Sequence, residues 1–182
     1  PTVYLTFDDG PHPDVTPWIL DELNKHEFKA TLFCVGENVK RYPEIFERII
    51  REGHAVGNHT MKHENGLKVS IEVYMKSVDE ASKLIDSKLF RPPYGKITPS
   101  LIRQLKKDYH IVLWSWLSYD YDVEVSINKI LHKANSIQAG DILVLHDNDK
   151  LVERQKELLP QLIELLKVKK LQSKSLNGVF TT

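Results

Sequence analysis

Two adjacent aspartates, Asp8 and Asp9, follow the first apolar run of the sequence and precede Gly10 and Pro11. Neighbouring carboxylates repel each other in a partly buried place, and a divalent cation offsets that repulsion. One carboxylate can then bind the cation while the other stays free to accept a proton. Because Asp, Gly and Pro also favour turns, an ordinary turn is the alternative interpretation of this segment.

Two histidines, His59 and His63, are four residues apart. In a helical turn both rings lie on one face and can chelate one ion. With Asp9 they form a set of two histidines and one carboxylate with open positions, which suits zinc, iron or cobalt in hydrolysis. We expect Zn²⁺, although Co²⁺ and other divalent ions also suit these ligands. Two unrelated surface histidines are the alternative.

His146 ends an apolar run and is a candidate general acid, because the ordinary pKa of histidine lies near neutrality. A hydrogen-bonded core histidine is the alternative. Arg91 opens an Arg-Pro-Pro-Tyr-Gly segment in which two prolines fix the backbone, so that Arg91 and Tyr94 are held in place. An arginine beside Asp8 would orient that carboxylate. A structural turn with a surface arginine fits the segment equally well.

Trp114 ends another apolar run, and Leu145 is the last apolar residue before His146. Both are candidates for an apolar wall that accepts a small methyl group, and core packing is an equally good interpretation of both residues.

Seven short apolar runs predict the β-strands that must position these groups. The runs are Val3–Phe7, Ala30–Val35, His54–Gly57, Leu89–Arg91, Ile111–Trp114, Ile142–Leu145 and Val179–Thr181. Amphipathic stretches predict six helices that start near Thr16, Pro43, Ser70, Thr98, Ser126 and Leu151. Thr16 is the expected N-cap of the first helix, and Pro160 either kinks the last helix or marks its start. Alternating strands and helices predict a parallel sheet covered by helices, either open or closed into a barrel.

Polar residues follow the ends of five predicted strands. They are Asp8 and Asp9, Asn58 and His59, Arg91 and Tyr94, Ser115 and Asp120, and His146 and Asp147. Because the carboxyl ends of parallel strands meet on one face, where such folds carry their active sites, we expect these groups to share one site.

Composition limits the classes of partner. The 182 residues suit a single domain, and 25 basic and 25 acidic side chains balance, so no nucleic-acid surface is expected. Cys34 is the only cysteine, which excludes a disulfide framework and a cysteine-rich zinc site. No apolar stretch reaches the roughly 20 residues of a transmembrane helix. No signal peptide is recognisable, which says little about the compartment because the chain opens directly on a strand.

Four segments in this order resemble the motifs of the polysaccharide deacetylase family, carbohydrate esterase family four, also described as the NodB homology domain. They are TFDDGP at 6–11, HTMKH at 59–63, RPPYG at 91–95 and VLHD at 144–147. The resemblance implies a distorted (β/α) barrel of about seven parallel strands surrounded by helices. It also implies metal-dependent removal of acetyl groups from N-acetylglucosamine units of a polysaccharide such as peptidoglycan or chitin-type oligomers.

The resemblance further implies how the metal site works. Asp8 would be the general base, and Arg91 would hold it. Asp9, His59 and His63 would bind the metal.

The same resemblance assigns the other half of the reaction. His146 would protonate the leaving amine, and the backbone N–H of Tyr94 would join the metal in stabilising the oxyanion. Leu145 would line the acetyl pocket.

One stretch departs from the family pattern. Many members carry an aspartate a few residues after the tryptophan of their fourth motif, where this chain has Leu117. Asp120 keeps a second family position, with Tyr121 after it where tryptophan is usual. Asp120 is therefore the candidate to tune His146, and Asp122 is a poorer one. If neither carboxylate reaches His146, we expect low activity.

Two other functions fit the same residues. One is hydrolysis of O-acetyl esters on xylan or another glycan, which needs the same oxyanion chemistry. The other is a catalytically inactive module that only binds glycan, against which the intact polar set argues. In each case the partner is an acetylated polysaccharide or oligosaccharide. The resemblance favours a location outside the cytoplasm or in the cell envelope, and the sequence sets no oligomeric state.

Overall fold

Strands and helices alternate along the chain in a computed structural model that describes residues 1–180. The strands are β1 (Thr2–Asp8), β2 (Ala30–Cys34), β3 (Ala55–Asn58), β4 (Leu89–Phe90), β5 (His110–Ile111), β6 (Trp116–Leu117), β7 (Ile142–His146) and β8 (Gln172–Ser173). The helices are α1 (Thr16–Lys25), α2 (Gly36–Arg41), α3 (Pro43–Arg51), α4 (Ile71–Ser82), α5 (Pro99–Leu105), α6 (Ile127–Ala134) and α7 (Val152–Val168).

Seven parallel strands form a curled sheet with the order β5-β4-β3-β2-β1-β7-β6, and β8 pairs with the first residues of β1. Helices surround this sheet, so the expected distorted α/β barrel is confirmed. β1 lies between β2 and β7, where Asp8 is in register with Phe33 of β2 and with His146 of β7. The register therefore brings the ends of β1 and β7 to the same level.

The two ends of this strand order belong to one stretch of chain. We predicted a single strand at Ile111–Trp114, but β5 pairs with β4, β6 pairs with β7, and residues 112–115 run between them. The prediction was wrong because this stretch leaves one edge of the sheet and joins the other. Residues 110–117 thereby bring the two edges of the curled sheet together.

Alternation along β1 separates the main core from the barrel interior. Leu5 and Phe7 are fully buried in the main core with apolar residues of α1 and α7. Thr6 and Asp8 point the other way and contact Arg91 inside the barrel. Burying each large apolar side chain contributes about 1.5–3 kcal/mol, so the sheet–helix core fixes the strands and leaves the polar residues to face one another.

Side-chain caps start three of the predicted helices. Ser70, Thr98 and Ser126 accept hydrogen bonds from the backbone N–H groups of Val73, Leu101 and Lys129. The expected N-cap of α1 is wrong, because α1 begins at Thr16 itself. The hydroxyl of Thr16 donates instead to Oδ2 of Asp147, 2.6 Å away, where it links α1 to the end of β7.

The structure also decides three smaller points about the predicted helices and strands. α2 was not predicted, and α7 begins at Val152, so that Pro160 lies inside the helix rather than at its start. For the predicted strand Val179–Thr181, Val179 and Phe180 lie in a turn, and Thr181 is outside the described residues. Within residues 1–180, every helix is too short or too polar to cross a membrane.

Candidate active site

A cavity of about 380 Å³ opens where the carboxyl ends of the strands meet. Its lining contains the three expected metal ligands together with the expected base and acid. The lining residues are Asp8, Asp9, His59, His63, Tyr94, Gly95, Lys96, Trp114, Leu117, Tyr121, Val144 and His146. The prediction that polar strand ends share one site thus holds for these residues. It is wrong for Ser115, which directly precedes β6 and donates its hydroxyl to Asp141, the residue before β7, at the opposite ends of these strands.

Asp9, His59 and His63 form a group of potential metal ligands whose ligand atoms all lie within 4.8 Å of one another. Oδ1 of Asp9 is 3.1 Å from Nε2 of His63 and 3.7 Å from Nε2 of His59. This oxygen is buried and has no hydrogen-bond partner among residues 1–180. Burial raises the pKa of Asp9, but His63 and His59 outweigh it and hold that pKa well below its usual range. The carboxylate is thus ionised and directed at the two imidazoles.

Neighbouring groups fix the orientation of these ligands. Nδ1 of His59 lies 2.7 Å from the carbonyl oxygen of Arg91, which can only accept, so Nδ1 carries the proton and Nε2 keeps its lone pair. Asn148 donates to Oδ2 of Asp9 at 2.8 Å, and Asn38 donates to the backbone oxygen of Asp9 at 2.8 Å. Asp9 therefore presents its other oxygen, Oδ1, to the histidines.

The segment from His59 to His63 is a loop rather than the helical turn we predicted. Thr60 and His63 have φ angles of 64° and 58°, in the left-handed region. The hydroxyl of Ser77 supports the loop, since it accepts from the backbone N–H of Met61 and donates to Glu64. The two rings nevertheless converge, with centroids 5.0 Å apart. The spacing thus identified the right pair, although the local conformation was wrong.

Asp8 is buried beside Arg91, which is itself fully buried inside the barrel. Nη1 of Arg91 donates to Oδ1 of Asp8 at 2.7 Å and to the hydroxyl of Thr6 at 2.6 Å. Nε and Nη2 donate to the backbone oxygens of Val112 and Leu113, each at 3.1 Å. The alternative of a surface arginine is therefore excluded, and the Asp8 carboxylate is held in one orientation.

His146 is held by Asp120, a fully buried carboxylate in the loop after β6. Oδ1 of Asp120 lies 2.7 Å from Nδ1 of His146, and Oδ2 accepts from the backbone N–H of His146 at 2.8 Å. Burial alone lowers the pKa of His146, but Asp120, with smaller contributions from Asp8 and Asp9, raises it to about 9. Asp120, rather than Asp122, is thus the carboxylate that reaches His146.

Apolar side chains form one wall of the cavity, but Leu145 is not among them. Trp114, Leu117 and Val144 line the cavity, whereas Leu145 is fully buried in the main core. Successive residues of a strand face opposite sides, so Val144 shares the face of His146 and Leu145 does not. The expectation that Leu145 lines the cavity is therefore wrong, and Val144 lies there instead.

Asp147 secures the loop that carries the two aspartates. Its carboxylate accepts from the backbone N–H of Gly10 at 2.8 Å and from the hydroxyl of Thr16. A side chain at Gly10 would collide with this carboxylate, which explains why a glycine stands there. Burial, together with the charges of Asp9 and Asp8, raises the pKa of Asp147 to about 8. Asp147 thus holds the loop that carries Asp8 and Asp9.

Comparison with known proteins identifies the family. The polysaccharide deacetylase family model matches residues 1–112. A peptidoglycan-N-acetylglucosamine deacetylase of Bacillus cereus is 36% identical over 175 residues, which cover 88% of this chain and 81% of that protein. The chain belongs to the polysaccharide deacetylase family. It is accordingly a hydrolase that acts on carbon–nitrogen bonds other than peptide bonds.

Two further relatives represent other named activities of the family. A chitooligosaccharide deacetylase of Azorhizobium caulinodans is 35% identical over 157 residues, covering 80% of this chain and 73% of that protein. The structure of a family 4 acetyl xylan esterase from Clostridium thermocellum, in complex with a cobalt ion, superimposes with a TM-score of 0.87 at 28% identity. That likeness covers 99% of this chain and 90% of the esterase. Relatives of this chain are thus named both as deacetylases, which cleave amides, and as an esterase, which cleaves esters.

Two residues of this family member were missed by our reading of the sequence. Asn148, which contacts Asp9, directly follows the VLHD motif, and its position at a strand end was an available signal. Gln155, which contacts Asp120, lies on the buried face of α7, and a lone polar residue on an apolar face was the signal there.

Proposed function

We propose that the protein removes acetyl groups from N-acetylglucosamine units of an acetylated polysaccharide, with peptidoglycan as the preferred polymer, in a reaction that depends on a divalent metal. One observation carries the proposal: a carboxylate base, an imidazole acid and a set of three metal ligands face the same cavity. The name of the Bacillus cereus relative supports peptidoglycan, and that of the Azorhizobium relative supports chitin-type oligomers as the second polymer.

The proposed metal is Zn²⁺, held by Asp9, His59 and His63. Two imidazole nitrogens and one carboxylate oxygen are a common ligand set of catalytic zinc, and the set also accepts cobalt. The buried Oδ1 of Asp9, which lacks a hydrogen-bond partner among residues 1–180, supports this fit, because such an oxygen is stabilised by a cation. A bound ion would supply Lewis acidity, polarising the acetyl carbonyl.

The protein's own groups supply proton transfer. Asp8, oriented by Arg91, removes a proton from the water that attacks the acetyl carbon. The backbone N–H of Tyr94 donates to the developing oxyanion. Asp120 occupies Nδ1 of His146, so Nε2 is the atom that gives its proton to the leaving nitrogen as the C–N bond breaks. The amine then leaves in its neutral form.

The apolar wall fits the acyl part of this substrate. Trp114, Leu117 and Val144 line the cavity that Asp8 and His146 also line. An acetyl methyl group against these side chains is removed from water. This burial favours apolar acyl groups over charged ones. Leu117, where many family members have an aspartate, thus has a packing role in the proposed site.

The proposed polymer also sets the proposed location. Peptidoglycan, which the name of the Bacillus cereus relative contains, belongs to the cell wall. We therefore propose that the protein acts outside the cytoplasm, in the cell envelope.

The test begins with protein that a chelator has stripped of metal. Zinc or cobalt is added back, and free acetate is measured with N-acetylglucosamine oligomers and with peptidoglycan. We expect metal-restored release, which Asp8→Asn lowers by about 10²–10⁴-fold because the base is lost. A metal titration of Asp8→Asn is the control, since the variant keeps all three ligands. Metal binding without acetate release from any acetylated glycan would contradict the proposal and favour a binding module.

A second activity, hydrolysis of acetyl esters on xylan, is favoured by the likeness to the acetyl xylan esterase. The leaving group is then an alcohol, and the same base and oxyanion donors serve. Parallel assays of acetylxylan and N-acetylglucosamine oligomers separate the two activities. A kcat/KM that is higher on acetylxylan would reverse the order of the two proposals.

A further inference from the structure

Gln155 is a fully buried amide on the apolar face of α7, which also carries Leu158, Leu159 and Leu162. Its Nε2 lies 2.6 Å from Oδ2 of Asp120 and 2.8 Å from the backbone oxygen of His146. The side chain thus spans from the helix to both members of the acid pair. It is not among the described residues that line the cavity.

The two partners determine which way the amide points. A carboxylate oxygen and a carbonyl oxygen can only accept, so both must face the NH₂ group of Gln155, and a flipped amide would place oxygen against oxygen. Oε1 is then buried without a partner among residues 1–180. A buried amide oxygen without a donor destabilises a fold, so packing alone would favour leucine at this place. The hydrogen bonds from Gln155 to Asp120 and to the backbone of His146 offset this cost.

We propose that Gln155 is a positioning residue of the acid side, which fixes the Asp120 carboxylate and the His146 backbone so that the imidazole keeps one orientation for proton donation. The proposal rests on the proposed function. Each oxygen of Asp120 then has a defined partner: Oδ1 bonds the imidazole, and Oδ2 bonds the His146 backbone and Gln155. Without the amide, the carboxylate loses one of these three donors and is freer to rotate.

The groups that face His146 define how a change at position 155 reaches it. They are Asp120 from the loop after β6, Asp8 and Asp9 from the end of β1, and the ring of Tyr121, whose centroid is 5.3 Å away. Gln155 bonds Asp120. Losing the amide leaves more negative charge on the carboxylate, which strengthens its attraction for the protonated imidazole.

The test is Gln155→Met, which keeps an unbranched side chain of similar length but has no N–H donor. We expect kcat for acetate release to fall about tenfold or more, with KM within about twofold, because the residue acts through the acid and does not line the cavity. The alkaline limb of the kcat–pH profile should move to higher pH. Gln161→Met is the matched control, since Gln161 is exposed on the same helix and donates only to the backbone oxygen of Glu157, one turn earlier.

Gln155→Leu is the second variant, in case the methionine does not fold. Leucine suits the apolar face of α7 and also lacks an N–H donor, so the alkaline limb should move in the same direction. Zinc affinity close to that of the wild type would show that the metal ligands are undisturbed in either variant.

NMR titration of the His146 ring separates failure of this proposal from failure of the proposed function, because it needs no turnover. Recorded with and without zinc, it should give a higher His146 pKa in Gln155→Met than in the wild type, even if no acetylated glycan is a substrate. An unchanged His146 pKa would overturn the proposal. So would a loss of kcat that lowers the whole pH profile without moving its alkaline limb, since that result assigns Gln155 a structural role only.

Discussion

The base side and the acid side of the cavity are built differently. The base side, Asp8 with Arg91, lies inside the barrel, where Arg91 donates to Asp8, Thr6 and two backbone oxygens. The acid side, His146 with Asp120, lies where a loop, β7 and α7 meet, and the half-exposed ring of Tyr121 covers it. The orientation of Asp8 is therefore set by the core of the barrel, whereas the orientation of His146 depends on a few hydrogen bonds at the edge of the barrel.

This difference predicts how substitutions separate stability from activity. A change on the base side leaves a buried charge without its partner, so both the fold and the reaction suffer. A change on the acid side mainly alters the protonation and orientation of one imidazole. Substitutions at four positions test the comparison.

Arg91→Met is expected to have the largest effect. It leaves the buried Asp8 carboxylate without its counter-charge, which costs about 3–5 kcal/mol of unfolding free energy. Denaturant unfolding of the variant and the wild type gives this difference. Arg103→Met, which removes an exposed arginine on α5, is the control. Equal unfolding midpoints for Arg91→Met and the wild type would refute the view that the base side is part of the core.

Asp120→Asn should chiefly affect the reaction. Asp120 raises the pKa of His146 to about 9, and the imidazole keeps its proton below that value. Without the carboxylate charge, burial lowers the pKa, so the alkaline limb of kcat should move to lower pH and kcat should fall by about 10²-fold. A kcat–pH profile checks both effects. A limb that stays in place or moves upward would show that Asp120 does not tune the acid.

Asn148→Ala tests the metal ligands between the two sides. The variant frees Oδ2 of Asp9, so zinc affinity should fall by about 10–100-fold, as is typical when a group that orients a ligand is lost. Competition with a chromophoric chelator measures the affinity. Asn24→Ala, an exposed asparagine on α1, should bind zinc as the wild type does. Unchanged affinity in Asn148→Ala would mean that the loop alone orients Asp9.

Tyr121→Phe is expected to have the smallest effect. Its ring meets His146 edge to face, and the phenylalanine keeps that contact, so kcat/KM should stay within about twofold. Tyr121→Ala removes the ring and should lower kcat/KM by about two- to tenfold, the equivalent of 0.5–1.5 kcal/mol for an aromatic pair. An equal, larger loss in both variants would show that the hydroxyl, rather than the ring, matters at this position, and wild-type values in both would show that neither matters.

The same comparison explains what the sequence predicted well. The base side lies in contiguous motifs at the ends of apolar strands, and parallel strands bring such ends together. The fold class and the convergence of Asp8, Asp9, His59 and Arg91 followed from that rule. The loop shape between His59 and His63 did not, because its left-handed residues depend on contacts with Ser77, more than ten residues away.

The acid side was harder to predict because its contacts join distant segments. Gln155 bonds Asp120 across 35 positions of sequence. An isolated glutamine in a helix gives no indication of its partner, and only its place on an apolar face separates it from surface residues. Leu145 was misplaced for another reason: the face of a short strand alternates with each residue, so an error of one position exchanges the cavity for the core.

The stretch 110–117 gives Arg91 an additional importance. As this stretch crosses from one sheet edge to the other, the backbone oxygens of Val112 and Leu113 receive the guanidinium as a donor. Between the two sheet edges, the Arg91 side chain thus supplies the hydrogen-bond donors that a neighbouring strand supplies elsewhere in the sheet. The same side chain aligns Asp8. Arg91 consequently belongs both to the closure of the sheet and to the proposed site, so neither property can be engineered at position 91 independently of the other.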